Sequence, residues 1–244
     1  MKLYAVGGAV RDHLLGRHSK DLDFAVEAES FETMVQELIE TGLRPWQMHP
    51  EFVTVRGKMP TNCLGSFGGL LRGMGPFIDA DFTLCRKEGM YHDNRHPSTV
   101  TPAGIYTDLS RRDFTMNAIA VTEDGQFIDP HEGRKDVASR VIMCVGNPID
   151  RFEEDPLRIL RAIRFAAELE FWIAGCVETA MQDREVLKKL ALLPVERIVN
   201  ELQRAMKVDW AGTMFRLTLG MPEVTHILAD SHPRLWFKPT TEIR

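Results

Sequence analysis

Residues 2–26 read KLYAVGGAVRDHLLGRHSKDLDFAV, and this stretch decides how the fold begins. Its first five letters suit a short buried strand, and the pair Gly7 and Gly8 then predicts a tight turn. Helical periodicity follows at 10–15, and strand-like residues return at 22–26. The order strand, turn, helix, strand predicts an α/β opening.

The rest of the chain divides at about residue 130. Further elements of the first part are expected as a helix at 31–39, strands at 52–55 and 77–84, a helix at 112–121 and a strand at 126–129. Later periodicity is almost wholly helical, with helices expected at 153–169, 173–181, 194–206 and 210–219. The sequence predicts an α+β fold with a mixed-sheet domain over 1–130 and an all-helical domain over 131–244.

Composition excludes several classes of protein. The formal net charge of −5 argues against a protein that coats nucleic acid non-specifically, so any RNA contact needs a local basic surface. The four cysteines form no C-x-x-C pair, which predicts neither a zinc knuckle nor a disulfide framework and fits a cytoplasmic location. There is no long apolar span, so no membrane is expected as a partner. The eight histidines form no close ligand cluster.

A pair of carboxylates stands at the head of the second predicted strand. Asp21 and Asp23 are two residues apart, so the alternation of a strand places both on one face. Converging carboxylates suit two Mg²⁺ ions about 3.5–4 Å apart. Asp81 on a later strand is the best third ligand, with Asp79 on the same face as the alternative. The competing interpretation is that aspartates gather at strand ends because turns favour them.

The glycine turn suggests a phosphate site. Backbone N–H groups at Gly8 and the positive end of the following helix could cradle a triphosphate, with Arg11 one turn further as a charged clamp. Glycine pairs also occur at such turns merely to allow positive φ. The chain has neither a G-x-x-x-x-G-K-[ST] loop nor a G-x-G-x-x-G fingerprint, which disfavours ordinary kinases and dehydrogenases.

Several motifs occur together in this chain, in the order typical of one family. The chain resembles the class II CCA-adding enzymes and bacterial poly(A) polymerases of the polymerase beta-like superfamily. The residues that carry this resemblance are GGAVRD (7–12), LLG (14–16), DLDF (21–24), RRDFTMNA (111–118), IDP (128–130) with Gly133 and Asp136, EDPLRILRAIRF (154–165) and PVERI (194–198). The resemblance implies a nucleotidyltransferase head followed by a helical neck and partial body.

The resemblance also implies roles for the later motifs. Arg112 would bind the triphosphate, and Asp113 would accept a hydrogen bond from a ribose hydroxyl. The alternative for Asp113 is an acidic residue in the first turn of a helix, where the helix dipole favours it. Asp155 and Arg158 would read the base edge of C or A in place of a template. Arg161 and Arg164 would position the nucleotide or the backbone. The competing interpretation of this helix is a solvated amphipathic surface.

A charged stretch at 86–97 resembles the flexible loop that the family uses in switching from C to A addition. Asn94 stands there in place of the usual glycine. A solvated surface loop is the alternative.

The leading interpretation is a CCA-adding enzyme that transfers nucleotides from CTP and ATP to the tRNA 3′ end. A poly(A) polymerase, or an enzyme that adds only CC or A, is the nearest alternative, although 43–46 lacks the G-R-R-[FY] signature of the former. An inactive nucleotide- or RNA-binding remnant is the third, because family members usually continue well beyond this length. A second copy in a homodimer, or another partner, would then supply the missing RNA surface.

Overall fold

The computed structural model describes residues 1–19, 21–89, 99–208 and 222–232. They form two compact units, residues 1–89 with 99–139 and residues 140–208 with 222–232. The predicted division at residue 130 therefore falls inside the first unit. The predicted helix at 210–219 and most of the charged stretch at 86–97 lie outside the described residues.

The first unit is built on a seven-stranded mixed sheet in the order β3-β4-β5-β2-β1-β8-β9. Its strands are β1 (Lys2–Val6), β2 (Leu22–Glu27), β3 (Arg44–His49), β4 (Thr54–Pro60), β5 (Phe77–Leu84), β8 (Ala120–Thr122) and β9 (Phe127–Ile128). Only β2 and β5 pair in parallel, and the other neighbours are antiparallel. A separate antiparallel pair comprises β6 (Arg86–Glu88) and β7 (Val100–Pro102).

The helices of this unit are short. They are α1 (Gly8–Leu14), α2 (Phe31–Thr41), α3 (Ile105–Ser110) and α4 (Gly133–Ser139). The side chain of Ser30 caps α2 by accepting a hydrogen bond from the Thr33 amide at 3.1 Å. The core is aromatic at the sheet centre, where the rings of Phe24 and Phe82 stack 5.1 Å apart and Phe67 packs on Phe24 at 5.2 Å.

The predicted helix at 112–121 is wrong. The segment instead forms a 3-10 turn (Thr115–Asn117) followed by β8. The Asp113 side chain accepts a hydrogen bond from the Phe114 amide at 2.8 Å, and the Thr115 hydroxyl donates to Asp136 at 2.6 Å. Such side-chain bonds compete with a helix.

Helix α4 explains why the first unit continues past residue 130. Gly133 packs so closely on the 3-10 turn that a Cβ atom there would stand 2.1 Å from the Thr115 carbonyl oxygen. The contact between Thr115 and Asp136 fixes the same two segments together.

The described part of the second unit is helical apart from one short parallel pair, β10 (Val141–Ile142) and β11 (Trp172–Ile173). Its helices are α5 (Pro148–Glu154), α6 (Leu157–Leu169), α7 (Gly175–Met181), α8 (Arg184–Leu190), α9 (Val195–Val208) and α10 (Pro222–Ser231). The predicted single helix at 153–169 is two helices. Pro156 forces Asp155 into an extended conformation, with φ −146° and ψ 98°, and so separates α5 from α6. Across the described ranges, no helix combines the length and apolarity needed to cross a bilayer.

Candidate active site

Four aspartates gather where β2 and β5 begin to pair. Asp23 and Asp81 are Cα partners on these parallel strands, so their side chains share one face of the sheet. Asp21 precedes Asp23 by two residues, and Asp79 precedes Asp81 by two. A cavity of about 460 Å³ opens over this face, lined by Asp21, Leu22, Asp23, Trp46, Arg56, Asp79, Ala80 and Asp81. The structure therefore brings the predicted carboxylates to one site.

The aspartates on this face differ in whether a positively charged side chain pairs with them. Arg56 donates two hydrogen bonds to the Asp81 carboxylate, both at 2.5 Å, and Lys58 lies 3.8 Å from Asp79. No ion pair within 4 Å reaches Asp21 or Asp23 from the residues that the structure describes. The pKa of Asp23 is raised, first because the surrounding protein displaces water and second because Asp81 is near, while Arg112 opposes the shift. The site is short of positive charge.

As the side chains stand, no three histidine, cysteine, aspartate or glutamate residues in the described ranges are grouped closely enough to hold one metal ion. Asp81 turns both carboxylate oxygens towards Arg56. The aspartates nevertheless supply the oxygen donors that hard cations such as Mg²⁺ prefer.

The glycine turn lies beside these carboxylates. Gly7 has a φ of +71°, which strains any residue with a side chain. A Cβ atom at this position would lie 3.4 Å from Arg112 Nη1 and 3.5 Å from Asp23 Oδ2. The turn thus lies close to both an arginine and an aspartate, and Gly8 begins α1 directly after it.

Arg112 is held in place by a buried aspartate. Asp108 on α3 is 1% exposed and accepts hydrogen bonds from Arg112 at 3.0 and 3.3 Å and from Arg111 at 2.5 and 3.0 Å. Burial alone would raise the pKa of Asp108, but the two guanidinium groups outweigh it and hold this pKa below its usual range. Arg111 also contacts Glu88 at 3.1 Å, so the cluster extends to β6.

Arg11 and Asp113 each form a hydrogen bond with the side chain of Asn117. The guanidinium of Arg11 is buried and donates to Asp12 at 2.7 and 2.9 Å and to the Asn117 side-chain oxygen at 2.9 Å. The Asn117 amide donates to Asp113 at 3.2 Å, and its backbone oxygen accepts from Arg112 at 3.3 Å. Arg11 is thus a buried part of a network that supports Arg112.

In the second unit, Asp155 and Arg158 are engaged with different partners. The Asp155 carboxylate accepts from Arg197 at 2.9 and 3.2 Å and from the Leu157 amide at 3.1 Å. Arg158 is buried and donates to Glu154 at 2.7 Å and to the Arg151 carbonyl at 3.0 Å. Each side chain is therefore fixed in orientation by a neighbour of its own.

The two later arginines of α6 converge on Glu201 of α9. Arg164 Nε lies 2.6 Å from this carboxylate, its Nη1 lies 2.8 Å from Glu168, and its guanidinium covers the Phe165 ring at 4.0 Å. Arg161 is more exposed and approaches Glu201 only to 3.9 Å. These contacts favour a helix-packing role for Arg164.

Residues 3–143 match the sequence model of the Poly A polymerase head domain. The chain belongs to this family. The matched region ends close to the end of the first unit at residue 139, and the resemblance inferred from the motifs is confirmed.

Relatives of the head domain are found among longer proteins. The chain is 37% identical over 215 residues to the CCA-adding enzyme of Geobacillus sp. (strain WCH70), covering 88% of this chain and 48% of that protein. It is similar to the crystal structure of the Bacillus stearothermophilus CCA-adding enzyme in complex with CTP, with a TM-score of 0.68, 31% identity, and coverage of 93% and 47%. A tRNA nucleotidyltransferase complexed with a primer tRNA and an incoming ATP analogue gives a TM-score of 0.71, 30% identity, and coverage of 95% and 59%. The chain spans about half the length of the curated relatives it matches.

Sequence reasoning missed four residues that shape these sites: Arg56, Asp108, Asn117 and Arg197. Asp108 carried a usable signal, because it lies three and four residues before Arg111 and Arg112 on a helix. Arg56 carried none, since its pairing with Asp81 depends on strand register.

The buried Asp108 of the head domain yields a stability prediction. We expect Asp108→Asn to lower the free energy of unfolding by about 2–3 kcal/mol, because it removes the charge that pairs with two arginines. Urea unfolding followed by circular dichroism measures this. Asp79→Asn, the same change at an exposed position, should alter stability by less than about 0.5 kcal/mol. Equal effects from the two variants would show that the buried cluster contributes nothing specific.

Proposed function

We propose that this chain adds C and A nucleotides to the 3′ end of tRNA without a template, using CTP and ATP and releasing pyrophosphate. The observation that carries this proposal is the placement of Asp23 opposite Asp81 on a head-domain sheet, with Gly7 and Arg112 beside them. The names of its relatives, CCA-adding enzymes, support the choice of substrates. Four free cysteines agree with a cytoplasmic location.

Asp21, Asp23 and Asp81 would hold Mg²⁺. The donor set fits this ion, because it offers carboxylate oxygens on one sheet face, and the raised pKa of Asp23 reflects a local need for positive charge. Bound Mg²⁺ would supply Lewis-acid stabilisation of the phosphate oxygens and lower the pKa of the attacking hydroxyl.

The head domain would hold the nucleotide through the glycine turn. Backbone N–H groups at Gly8 would face the triphosphate, and Arg112 would bind its oxygens beside Asp23. Asp108, Asn117 and Arg11 would position Arg112, since all three belong to the network around it. Asp113, which belongs to the same network, would accept a hydrogen bond from a ribose hydroxyl.

The reaction is a single displacement at the α-phosphorus. The tRNA 3′ hydroxyl loses its proton to solvent as its oxygen forms a bond to this phosphorus, and the bond to the oxygen that bridges to the β-phosphate breaks. Pyrophosphate leaves with the bonding electron pair. Arg112 would offset the negative charge that develops on it, a form of stabilisation that is strongest where water is excluded.

In the second unit, Asp155 and Arg158 would read the base edge. An acceptor and a forked donor can form Watson-Crick-like hydrogen bonds with C or A. Arg197 and Glu154 hold these two side chains and would keep them oriented until a base replaces those contacts. Arg161 and Arg164 would contribute indirectly, by fixing α6 against α9 through Glu201.

Base reading gives a kinetic prediction. We expect Asp155→Ala to reduce kcat/KM for CTP and ATP by about 10–100-fold, because one pair of base-edge hydrogen bonds is lost. Asp150→Ala, the same change at an exposed position on the neighbouring helix, should leave kcat/KM within about twofold of the unchanged protein. Steady-state incorporation of each nucleotide is the measurement. The assignment is wrong if both variants retain the unchanged value.

Sequencing of reaction products tests the proposed function. The chain is incubated with tRNA ending before, within and after CCA, with CTP and ATP separately and together. Completion to CCA, with no extension of the finished end, is the expected result. CC or A alone would mark a partial enzyme, and an A tail would mark a poly(A) polymerase. Binding of CTP without any extension would establish an inactive remnant.

A further inference from the structure

Two cationic side chains of β4 lie opposite two aspartates of β5. Arg56 is the Cα partner of Asp81, and Asp81 is in turn the partner of Asp23 on β2. These three residues therefore form one row across three adjacent strands, on one face of the sheet. Lys58 and Asp79 form the neighbouring row.

The two rows differ in how firmly the carboxylate is held. Arg56 uses Nε and Nη2 to bind the two different oxygens of Asp81, each at 2.5 Å. Lys58 makes only a single 3.8 Å approach to Asp79, whose side chain is 65% exposed. A bidentate guanidinium contact fixes a carboxylate in both position and direction, whereas a distant ammonium group does not. Asp81 is the constrained member of the acidic cluster.

We propose that Arg56 competes with the divalent cation for the carboxylate of Asp81. Both oxygens of Asp81 are committed to Arg56, so a cation that takes Asp81 as a ligand must first displace the guanidinium. Asp21 and Asp23, which no arginine or lysine of the described ranges pairs with, provide the initial attachment. Asp81 then exchanges Arg56 for the cation. This inference rests on the proposed metal site.

The exchange has a consequence for cation affinity. A cation can bind Asp81 only after the bidentate ion pair between Arg56 and Asp81 has broken. Because the free energy of this ion pair is then lost, Arg56 lowers the affinity of the site for the cation. The Arg56 side chain is 49% exposed, and solvent screening therefore limits this effect to about fivefold in the dissociation constant. A cross-strand pair that only stabilises the sheet would leave cation affinity unchanged.

Mn²⁺ binding to the full chain tests the proposal without any dependence on activity. Electron paramagnetic resonance of free Mn²⁺ gives the dissociation constant for the unchanged protein and for Arg56→Gln, Arg56→Lys and Lys58→Gln. Arg56→Gln should bind Mn²⁺ about fivefold more tightly. Arg56→Lys keeps the charge but loses the fork, so it should fall between these two proteins. Lys58→Gln controls for the loss of one positive charge and should change binding less than about twofold.

The outcomes separate this proposal from the metal site itself. Arg56→Gln binding that is unchanged, weaker, or shifted no further than that of Lys58→Gln overturns the competitor role and leaves the metal site standing. Absence of Mn²⁺ binding from every protein, or full binding by an Asp21→Asn, Asp23→Asn double variant, removes both. Circular dichroism confirms folding, and if Arg56→Gln does not fold, tighter binding by Arg56→Lys is the required result.

Discussion

Replacement of Asp23 by asparagine should lower the rate of nucleotide incorporation into tRNA by about 1000-fold. Asparagine keeps the shape of the side chain and removes the charge that faces Asp81 across the parallel strand pair. The loss arises because the proposed cations hold the reacting phosphate, and Asp23 is one of the carboxylates that would bind them. Single-turnover incorporation of labelled CMP at saturating CTP measures the chemical step.

The same substitution should raise the melting temperature only slightly, by about 1–2 °C, in the absence of divalent cations, because Asp23 is exposed and solvent screens the repulsion. Asp23 is crowded by other carboxylates and lacks an ion-pair partner within the described ranges. Removing its charge therefore relieves repulsion in the folded state. Lower activity combined with higher stability is the pattern of a functional residue, whereas damage to the fold would lower both.

Asp79→Asn is the matched control for activity, since it changes a neighbouring aspartate whose side chain is largely exposed. If Asp81 is the third ligand, Asp79→Asn should retain activity within about threefold. The opposite ranking of Asp23 and Asp79 would place the chemistry elsewhere on the sheet.

Replacement of Gly133 by alanine should destabilise the first unit by about 4 kcal/mol or more. The added Cβ would lie 2.1 Å from the Thr115 carbonyl oxygen, 2.7 Å from the Thr115 carbonyl carbon and 2.9 Å from Ile119 Cγ1. Two of these three atoms are backbone and cannot rotate away. Helix α4 would have to separate from the turn at Thr115–Asn117, which carries Asn117 and so supports Arg112.

Gly75→Ala provides the matched control in the same unit. Its nearest neighbouring atom is 4.0 Å from the position of the added Cβ, and its φ lies outside the left-handed range. We expect this variant to unfold within about 0.5 kcal/mol of the unchanged protein. Urea unfolding and thermal melting measure both. If Gly133→Ala were as stable as Gly75→Ala, the close packing of α4 on the turn would be wrong.

Local patterns predicted the parts of the fold that local interactions determine. The strand, turn and helix at 2–16 follow from apolar residues, two glycines and helical periodicity, and the structure confirms β1 and α1 there. Period-two alternation placed Asp21 and Asp23 on one face, where the cavity opens. The pairing of β2 with β5, which brings Asp81 to this face, is a long-range contact whose register no local pattern specifies.

Other elements escaped prediction for identifiable reasons. Strand β3 lies at the edge of the sheet, and its mostly exposed side chains lack the alternation that marks a half-buried strand. The segment after Arg112 has helical periodicity, but side-chain hydrogen bonds from Asp113 and Thr115 fix a turn instead. The burial of Arg11 also escaped prediction, because it depends on a contact with Asn117, which lies 106 residues away.

The carboxylate pair can be tested by comparing the unchanged chain with the Asp21→Asn, Asp23→Asn double variant on tRNA that lacks CCA. Both proteins are supplied with CTP, ATP and Mg²⁺, and the products are sequenced. We expect completed CCA ends from the unchanged chain and no added nucleotide from the double variant, with both proteins folded by circular dichroism. Nucleotide addition by the double variant at the rate of the unchanged chain would contradict the role proposed for this pair.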